Sequence, residues 1–397
     1  MNIKNKLYGD GIHDDYPAIQ EMLDSGMSCV YLPVPAKYYS ISKTLRIHSN
    51  QELKLDRYTR ICLADNSNCA MAENAEPKEW NVRVAVSGGI WDMNHKNQKP
   101  NPFHFPDPET GMKLADWIRL TGYDNTKRLM PDTYTGICFR FNSIRGFHAQ
   151  DLTIVNPVIF GMQVSFVEDF TIENLDFEFT EGSPRLWNMD GVHVEGGCKN
   201  GLIRNLKGAC HDNTVALTSD DSIIGPIENI VVDGIYGEKS HSAVRLLAIE
   251  NRLRNIHISN IYGSYYAYAV VISKYNDTTQ RRPLFENITI DNVYASLCPG
   301  TVDVAGNTSA LISIRHDVDI NSLYIANLHR EETHCPMPTI GIETGVKIKN
   351  LTVLHSGQSN TTGKAIPFIH NIGRIENLHY ENVDPGNDVL LYEQEKK

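Results

Sequence analysis

The sequence predicts an all-β chain folded as a single-stranded, right-handed parallel β-helix with a short N-terminal capping helix. Three observations carry that prediction. One short phrase recurs about every 30 residues, each copy alternates apolar and polar side chains with the period of a strand, and no helix-period stretch separates the copies. A unit of that length holding two or three short strands buries its apolar face by stacking coil upon coil.

The chain divides into four parts, read as one domain over residues 1–397. Residues 1–28 form the cap: Asp14-Asp15-Tyr16-Pro17-Ala18-Ile19-Gln20-Glu21-Met22-Leu23 has acidic N-cap candidates, an early proline and apolar residues at helical spacing. Asp14 and Asp15 are expected as caps. Such a helix would cover the open end of the stack and block edge-to-edge growth. Residues 95–135 break the rhythm, with Pro100, Pro102, Pro106, Pro108 and Pro131 among Phe103, Phe105, Trp117 and Tyr123. They read as an insertion that either walls the binding face, where aromatic rings would stack on sugars, or packs on its own aromatics. The repeats follow, and residues 385–397 are expected as a tail.

The repeated phrase is apolar-x-apolar-x-Asn-apolar, often with an earlier Asn-apolar. Its fifth place is held by Asn174, Asn205, Gly234, Asn260, Asn292, Asn327, His355 and Asn382, at intervals of 31, 29, 26, 32, 35, 28 and 27. At a bend between strands, side-chain amides stacked in register bond to one another along the ladder, which gives the asparagines a structural reason.

Composition excludes several classes of function. The 37 Lys and Arg against 48 Asp and Glu leave a net charge of −11 without a long basic run, which argues against nucleic acid as a partner. The longest apolar stretch, near Tyr265 to Ile272, is far shorter than the roughly 20 residues of a membrane-spanning helix. Eight cysteines lie scattered without a CxxC pair, so neither a zinc site nor a redox motif is expected, and most read as buried small hydrophobes. Nucleophile-elbow, phosphate-loop and dinucleotide motifs are absent, and no cofactor is implied. The opening Met1-Asn2-Ile3-Lys4 does not read as a signal peptide, so a cytoplasmic location is expected, or secretion if a leader was removed.

Three polar clusters occupy three successive coils. They are Trp187-Asn188-Met189-Asp190-Gly191-Val192-His193, Cys210-His211-Asp212-Asn213-Thr214 and Ser240-His241-Ser242-Ala243-Val244-Arg245. Separations of 22 from Asp190 to Asp212 and 29 from Asp212 to His241 are each about one coil, which would stack the groups at roughly 5 Å per step on one face. Two carboxyls so placed suit glycosidic cleavage: one protonates the leaving oxygen while the other activates water or attacks carbon. His193 alternates outward between Val192 and Val194, with Glu195 beyond it as a reserve carboxylate. His211 precedes Asp212 and is a candidate to orient it, and Trp187 is a candidate sugar platform.

These clusters resemble glycoside hydrolase family 28, the polygalacturonase-like enzymes, whose patterns are Asn-x-Asp, Gly/Gln-Asp-Asp, Gly-His-Gly and Arg-Ile-Lys. Asn188-Met189-Asp190-Gly191 fits the first. His211-Asp212-Asn213 fits the second with its second aspartate replaced by Asn213, and Ser240-His241-Ser242 fits the third with serines for glycines. Of the fourth, only a displaced Lys274 remains near Val270-Val271-Ile272-Ser273. The Asp10-Gly11-x-x-Asp14-Asp15 phrase also resembles the entry of pectate-lyase-superfamily and tailspike β-helices. The resemblance implies Asp212 as general acid, Asp190 as water-activating base and His241 as support, while the residues themselves offer Asn188, His193, His211, Asn213, Arg245, Lys274 and Trp187 as candidates to bind substrate.

The expected activity is an inverting, exo-acting glycoside hydrolase of a plant-type oligosaccharide, with both a pectin-related glycan and a short or neutral one open as the substrate, that saccharide as partner, and neither metal nor cofactor. Asn213 leaves three options open: Asp190 acts alone, Asp220-Asp221 contributes, or activity is lost. The pair also reads as a solvated turn. Arg245, Lys274 or Arg315-His316 are candidates to replace the missing Arg and Lys that face a substrate carboxylate, and each reads equally as a solvent-facing strand residue. Two other readings stay open: a calcium-dependent polysaccharide lyase using Asp190, Asp212, Asp220 and Asp221 as ligands, and a non-catalytic carbohydrate-binding β-helix.

Overall fold

The computed structural model describes residues 5–121, 133–180, 187–221, 223–274, 281–300 and 309–394. The fold is a parallel β-helix. Its residues gather into two compact units, 1–193 and 194–397.

In the first unit, helix α1 (Tyr16–Leu23) buries Ala18, Ile19 and Leu23. It acts as a cap through Gln20, whose side chain accepts from Arg46 N (2.9 Å) and donates to Arg46 O (3.2 Å), satisfying the first coil's backbone. Asp15 holds the N-cap position, but makes no side-chain bond to the helix. Its carboxylate accepts from Tyr8 N (2.6 Å), Gly9 N (3.1 Å) and Ser40 N (3.2 Å) and ties the entry loop down instead. Asp14 accepts from Tyr16 N and Ser42 N.

Three columns of parallel strands follow. β1 (Cys29–Leu32), β4 (Gln51–Leu55) and β7 (Asn81–Ser87) lead to β9 (Phe139–Val155), as do β2 (Tyr39–Ile41), β5 (Arg60–Leu63) and β8 (Ile90–Asp92), and also β3 (Leu45–Ile47) and β6 (Ala72–Asn74). β9 then pairs with β10 (Met162–Glu178). The stretch expected as a plain insertion contains helix α2 (Leu114–Thr121), foreshadowed by Leu114, Trp117 and Ile118 at helical spacing. Residues 122–132, with Tyr123 and Pro131, lie outside the described residues.

β11 (Val192–Glu195) begins where the first unit ends. In the second unit β12 (Lys199–Gly208) and β13 (Asn213–Thr218) pair with β14 (Ile227–Ala248). β14 continues to β15 (Arg252–Lys274), and β15 to β16 (Leu284–Leu297). One column then runs through β18 (Asp319–Glu332), β20 (Lys347–Asn360) and β22 (Arg374–Asp384). The other runs from β15 through β17 (Ile312–Ile314), β19 (Ile340–Ile342), β21 (Ile369–Asn371) and β23 (Leu391–Glu393). β23 lies within the stretch expected as a tail. Among the described residues no helix is long and apolar enough to cross a membrane.

The core of this unit is a set of in-register stacks. Ile230, Ile256, Ile288, Leu323 and Leu351 form one, Val232, Ile258, Ile290, Ile325 and Val353 another, and none is more than 1% exposed. The phrase asparagines sit at the bends with positive φ: 55° at Asn205, 58° at Asn260, 55° at Asn292 and 50° at Asn327. That left-handed conformation, which asparagine tolerates better than other non-glycine residues, explains their recurrence together with the ladder. Gly234 takes the same place with φ 79°. The earlier Asn-apolar forms a second ladder: Asn229 donates to Asn200 (2.9 Å), Asn255 to Asn229 (2.8 Å) and Asn287 to Asn255 (2.9 Å), all four with φ between 54° and 58°.

Candidate functional site

The motif residues form two groups of polar side chains, one in each unit. In the first unit, Asn188 takes a left-handed conformation (φ 65°) that turns the chain toward Asp190. The carbonyls of Asp190 and Gly191 accept from Gly161 N and Met162 N, both at 2.9 Å, so β10 fixes the segment. Gly161 is required there, because a Cβ would fall 2.8 Å from Gly191 O. Asp190 Oδ2 lies 2.7 Å from His193 Nδ1, and the imidazole stacks on Phe160 with ring centres 3.9 Å apart. A carboxylate only accepts, so the imidazole carries its proton on Nδ1. His193 is therefore buried and turned onto Asp190, not projected outward as strand alternation implies. Trp187 is exposed, and its carbonyl accepts from Asn101 Nδ2 (3.3 Å) and lies 3.0 Å from His104 Nε2, which ties the insertion to this motif.

In the second unit, β13 and β14 run in register with Asn213 opposite Ser242, which sets Asp212 beside His241. The backbone helps: His241 N donates to Cys210 O at 3.0 Å, and Ser240 Oγ to the same carbonyl at 3.3 Å. His241 Nδ1 then lies 3.4 Å from Asp212 Oδ1 and 3.1 Å from Ser242 Oγ. Asn213 Nδ2 donates to Asp212 Oδ1 at 2.9 Å. Asn213 Oδ1 accepts from Ser242 Oγ (2.8 Å) and from Tyr268 Oη (3.1 Å), one coil further on in register with Ser242. All of these side chains are buried.

Tyr268 is the residue that motif reasoning missed. Its signal was arithmetic, since 26 residues, the coil length at that place, separate it from Ser242. Burial raises its pKa above the ordinary tyrosine range and Asp212 adds to this, while Arg245 and Arg315 oppose it. The Arg315 guanidinium lies over its ring at 5.3 Å and donates to Ser309 Oγ at 2.5 Å. This corner is thus cationic around a neutral phenol.

The remaining candidates fall as follows. Arg245 is half-buried on β14, opposite Ala216 and Val271, and Lys274 is half-buried at the end of β15, opposite Ala248. His211 is half-buried ahead of Asp212. Asp220 is neither a solvated turn nor free for catalysis: it is 3% exposed, and Oδ2 accepts from the backbone N of Ile249 (2.9 Å), Glu250 (3.0 Å) and Asn251 (2.9 Å). Glu195, expected to project outward, is wholly buried and accepts from Ile223 N at 3.1 Å. Its burial follows from β11, where all four residues are buried and neither face meets water.

No family model matches the sequence, and no curated protein matches it. Solved structures do. An exopolygalacturonase from Thermotoga maritima shares the fold with TM-score 0.59 at 16% identity, over 94% of this chain and 88% of that one. The A-module of a mannuronan C-5 epimerase from Azotobacter vinelandii gives 0.59 at 13%, over 98% and 96%. A surface adhesin of Streptococcus pneumoniae gives 0.56 at 13%, over 96% and 91%. The chain thus has the parallel β-helix seen in polygalacturonases and in other β-helix proteins, and at these identities the likeness is one of fold.

Proposed function

We propose that the protein is a glycoside hydrolase acting on a plant-type, pectin-related oligosaccharide by an inverting mechanism. Asp212 carries the proposal: a buried carboxyl beside His241, with Asn213 fixed against it, in the coil where the family pattern places the proton donor. In the forward step Asp212 gives its proton to the glycosidic oxygen as the bond to the anomeric carbon breaks. Asp190, assigned by its motif, takes a proton from the water whose oxygen forms the new bond. The carboxyls end with their protons exchanged, and bulk water resets them.

The cations around Tyr268 support an anionic or strongly hydrogen-bonding sugar, since an arginine fork pairs with a carboxylate in bidentate fashion. The lyase reading loses one of its proposed ligands, because the Asp220 carboxylate already accepts three backbone N–H groups.

The test is reducing-end release from a panel of charged and neutral plant oligosaccharides by the wild type, Asp212→Asn and Asp190→Asn. Cleavage of one member by the wild type, with at least a 100-fold loss in either variant, is the expected result. Retention of configuration in the first product anomer contradicts a water-activating role for Asp190. Binding without turnover makes the protein a carbohydrate binder instead.

A further inference from the structure

Asn213 stands where the family pattern has a second aspartate, and its surroundings show what the replacement does. An amide has an accepting and a donating end, and turning it over exchanges them. Here the accepting end faces two hydroxyls, Ser242 Oγ and Tyr268 Oη, while the donating end faces Asp212 Oδ1. Ser242 Oγ donates to Asn213 Oδ1 at 2.8 Å and also lies 3.1 Å from His241 Nδ1. Tyr268 remains a protonated donor, because burial raises its pKa.

We infer that Ser242 and Tyr268 are positioning residues that hold Asn213 with its N–H toward Asp212, and so keep Asp212 in its carboxylate form and set the pH range of the site. A hydrogen bond donated to a carboxylate favours the charged form, whereas a second carboxylate at position 213 would favour the protonated one. Turned over, the amide would present oxygen to Asp212 and be satisfied only if Asp212 carried a proton. The two hydroxyls therefore select between two protonation states of Asp212 through the Asn213 amide. The charged and titratable groups facing the cluster are His241, Arg245, Tyr268 and Arg315. Arg245 and Arg315 add positive potential, which works in the same direction.

The inference deepens the hydrolase reading and leans on it for one arm of its test. On that reading, Asp212 donates a proton only in the fraction of molecules that carry one, so activity is weighted to acid pH. Asn213→Asp would extend it toward neutrality.

The experiment is a pH titration of the Asp212 side chain, followed by carbon NMR of protein labelled at the aspartate carboxyls, with the resonance identified by its loss in Asp212→Asn. Asn213→Asp is expected to raise the midpoint by about one pH unit or more. Tyr268→Phe and Ser242→Ala each raise it by less, their combination by more, and Ser242→Thr, which keeps the hydroxyl, leaves it in place. A purely structural role for these hydroxyls would lower stability without moving the midpoint, and an unmoved midpoint in both Asn213→Asp and the double variant overturns the inference. With a cleaved substrate in hand, the alkaline limb of kcat in Asn213→Asp should move upward by the same amount. If nothing is cleaved, the hydrolase reading fails, and the titration still decides the inference.

Discussion

His193 Nδ1 lies 2.7 Å from Asp190 Oδ2, with both side chains no more than 3% exposed and the imidazole flat on Phe160. The pair orients a carboxylate through an imidazole, as second-layer hydrogen bonds orient reacting groups elsewhere. His193→Phe keeps the ring volume and the stack but removes the N–H, and should destabilise the protein by about 1–3 kcal/mol in urea unfolding. His193→Gln, which can still donate, should cost less. If Asp190 is the base, kcat falls in the same order.

Asp220 supplies a control of the opposite kind. Its carboxylate gathers the N–H groups of residues 249–251, so Asp220→Ala should lower stability by about 2–3 kcal/mol while a matched assay retains most of the activity per folded molecule. Loss of kcat at unchanged stability would return Asp220 to the list of reacting groups.

The second asparagine ladder separates backbone from side-chain contributions. Asn255 both takes φ 56° and bonds along the ladder to Asn229 and from Asn287. Asn255→Ala should cost about 1–2 kcal/mol, combining the left-handed strain with lost bonds. Asn255→Gly removes the bonds alone and should cost less. Equal costs in thermal unfolding would show that strain contributes nothing there.

The coils were legible because their signals are local. A strand face shows in two-residue alternation, and a bend shows in an asparagine that accepts positive φ, so Asn260 or Asn292 announces its place without knowledge of its neighbours. His193 and Glu195 were misread by the same rule: alternation assigns one face to solvent, and β11 is buried on both. The Tyr268–Asn213 bond spans 55 residues, and although coil length sets Tyr268 opposite Ser242, no motif marks Tyr268. Asp220 looked like a turn residue because its partners lie about 30 residues ahead.

Acid should loosen the insertion before it reaches the coils. The Asp107 carboxyl is held down at about 2, chiefly by its hydrogen bond to Lys99 Nζ (2.8 Å), with burial opposing and the N–H groups of Thr110 and Glu109 helping. A depressed carboxyl stabilises the folded form above its ordinary value of 3.8, and that contribution is lost as pH falls toward 2. Hydrogen exchange across residues 99–112 should therefore rise, beyond its intrinsic pH dependence, between about pH 4 and 2 in the wild type. Asp107→Asn should already exchange faster at pH 5 and lack that rise.

The pair Arg330 and Glu332 tests how the last coils are joined, because both are at most 1% exposed and their nitrogen and oxygen lie 2.7 Å apart. Arg330 also donates to the carbonyls of Met337 (2.7 Å) and Cys335 (3.0 Å) and to Thr339 Oγ1 (2.9 Å). Glu332 accepts from the N–H groups of His334 (2.9 Å), Cys335 (2.8 Å) and Leu297 (3.1 Å). Between them they organise the turn after β18. Burial alone would raise the glutamate's pKa, yet the N–H groups of Cys335 and His334 and the Arg330 cation bring it below the ordinary range. Arg330→Met leaves a buried carboxylate without its cation and should cost about 3–5 kcal/mol. Arg330→Met with Glu332→Leu removes both charges, so on the pair term alone the double variant should be more stable than the single one. The turn's backbone groups then lose their partners, which sets a floor under the recovery. A double variant less stable than Arg330→Met by chemical denaturation would show that the contacts to the turn, not the ion pair, dominate this network.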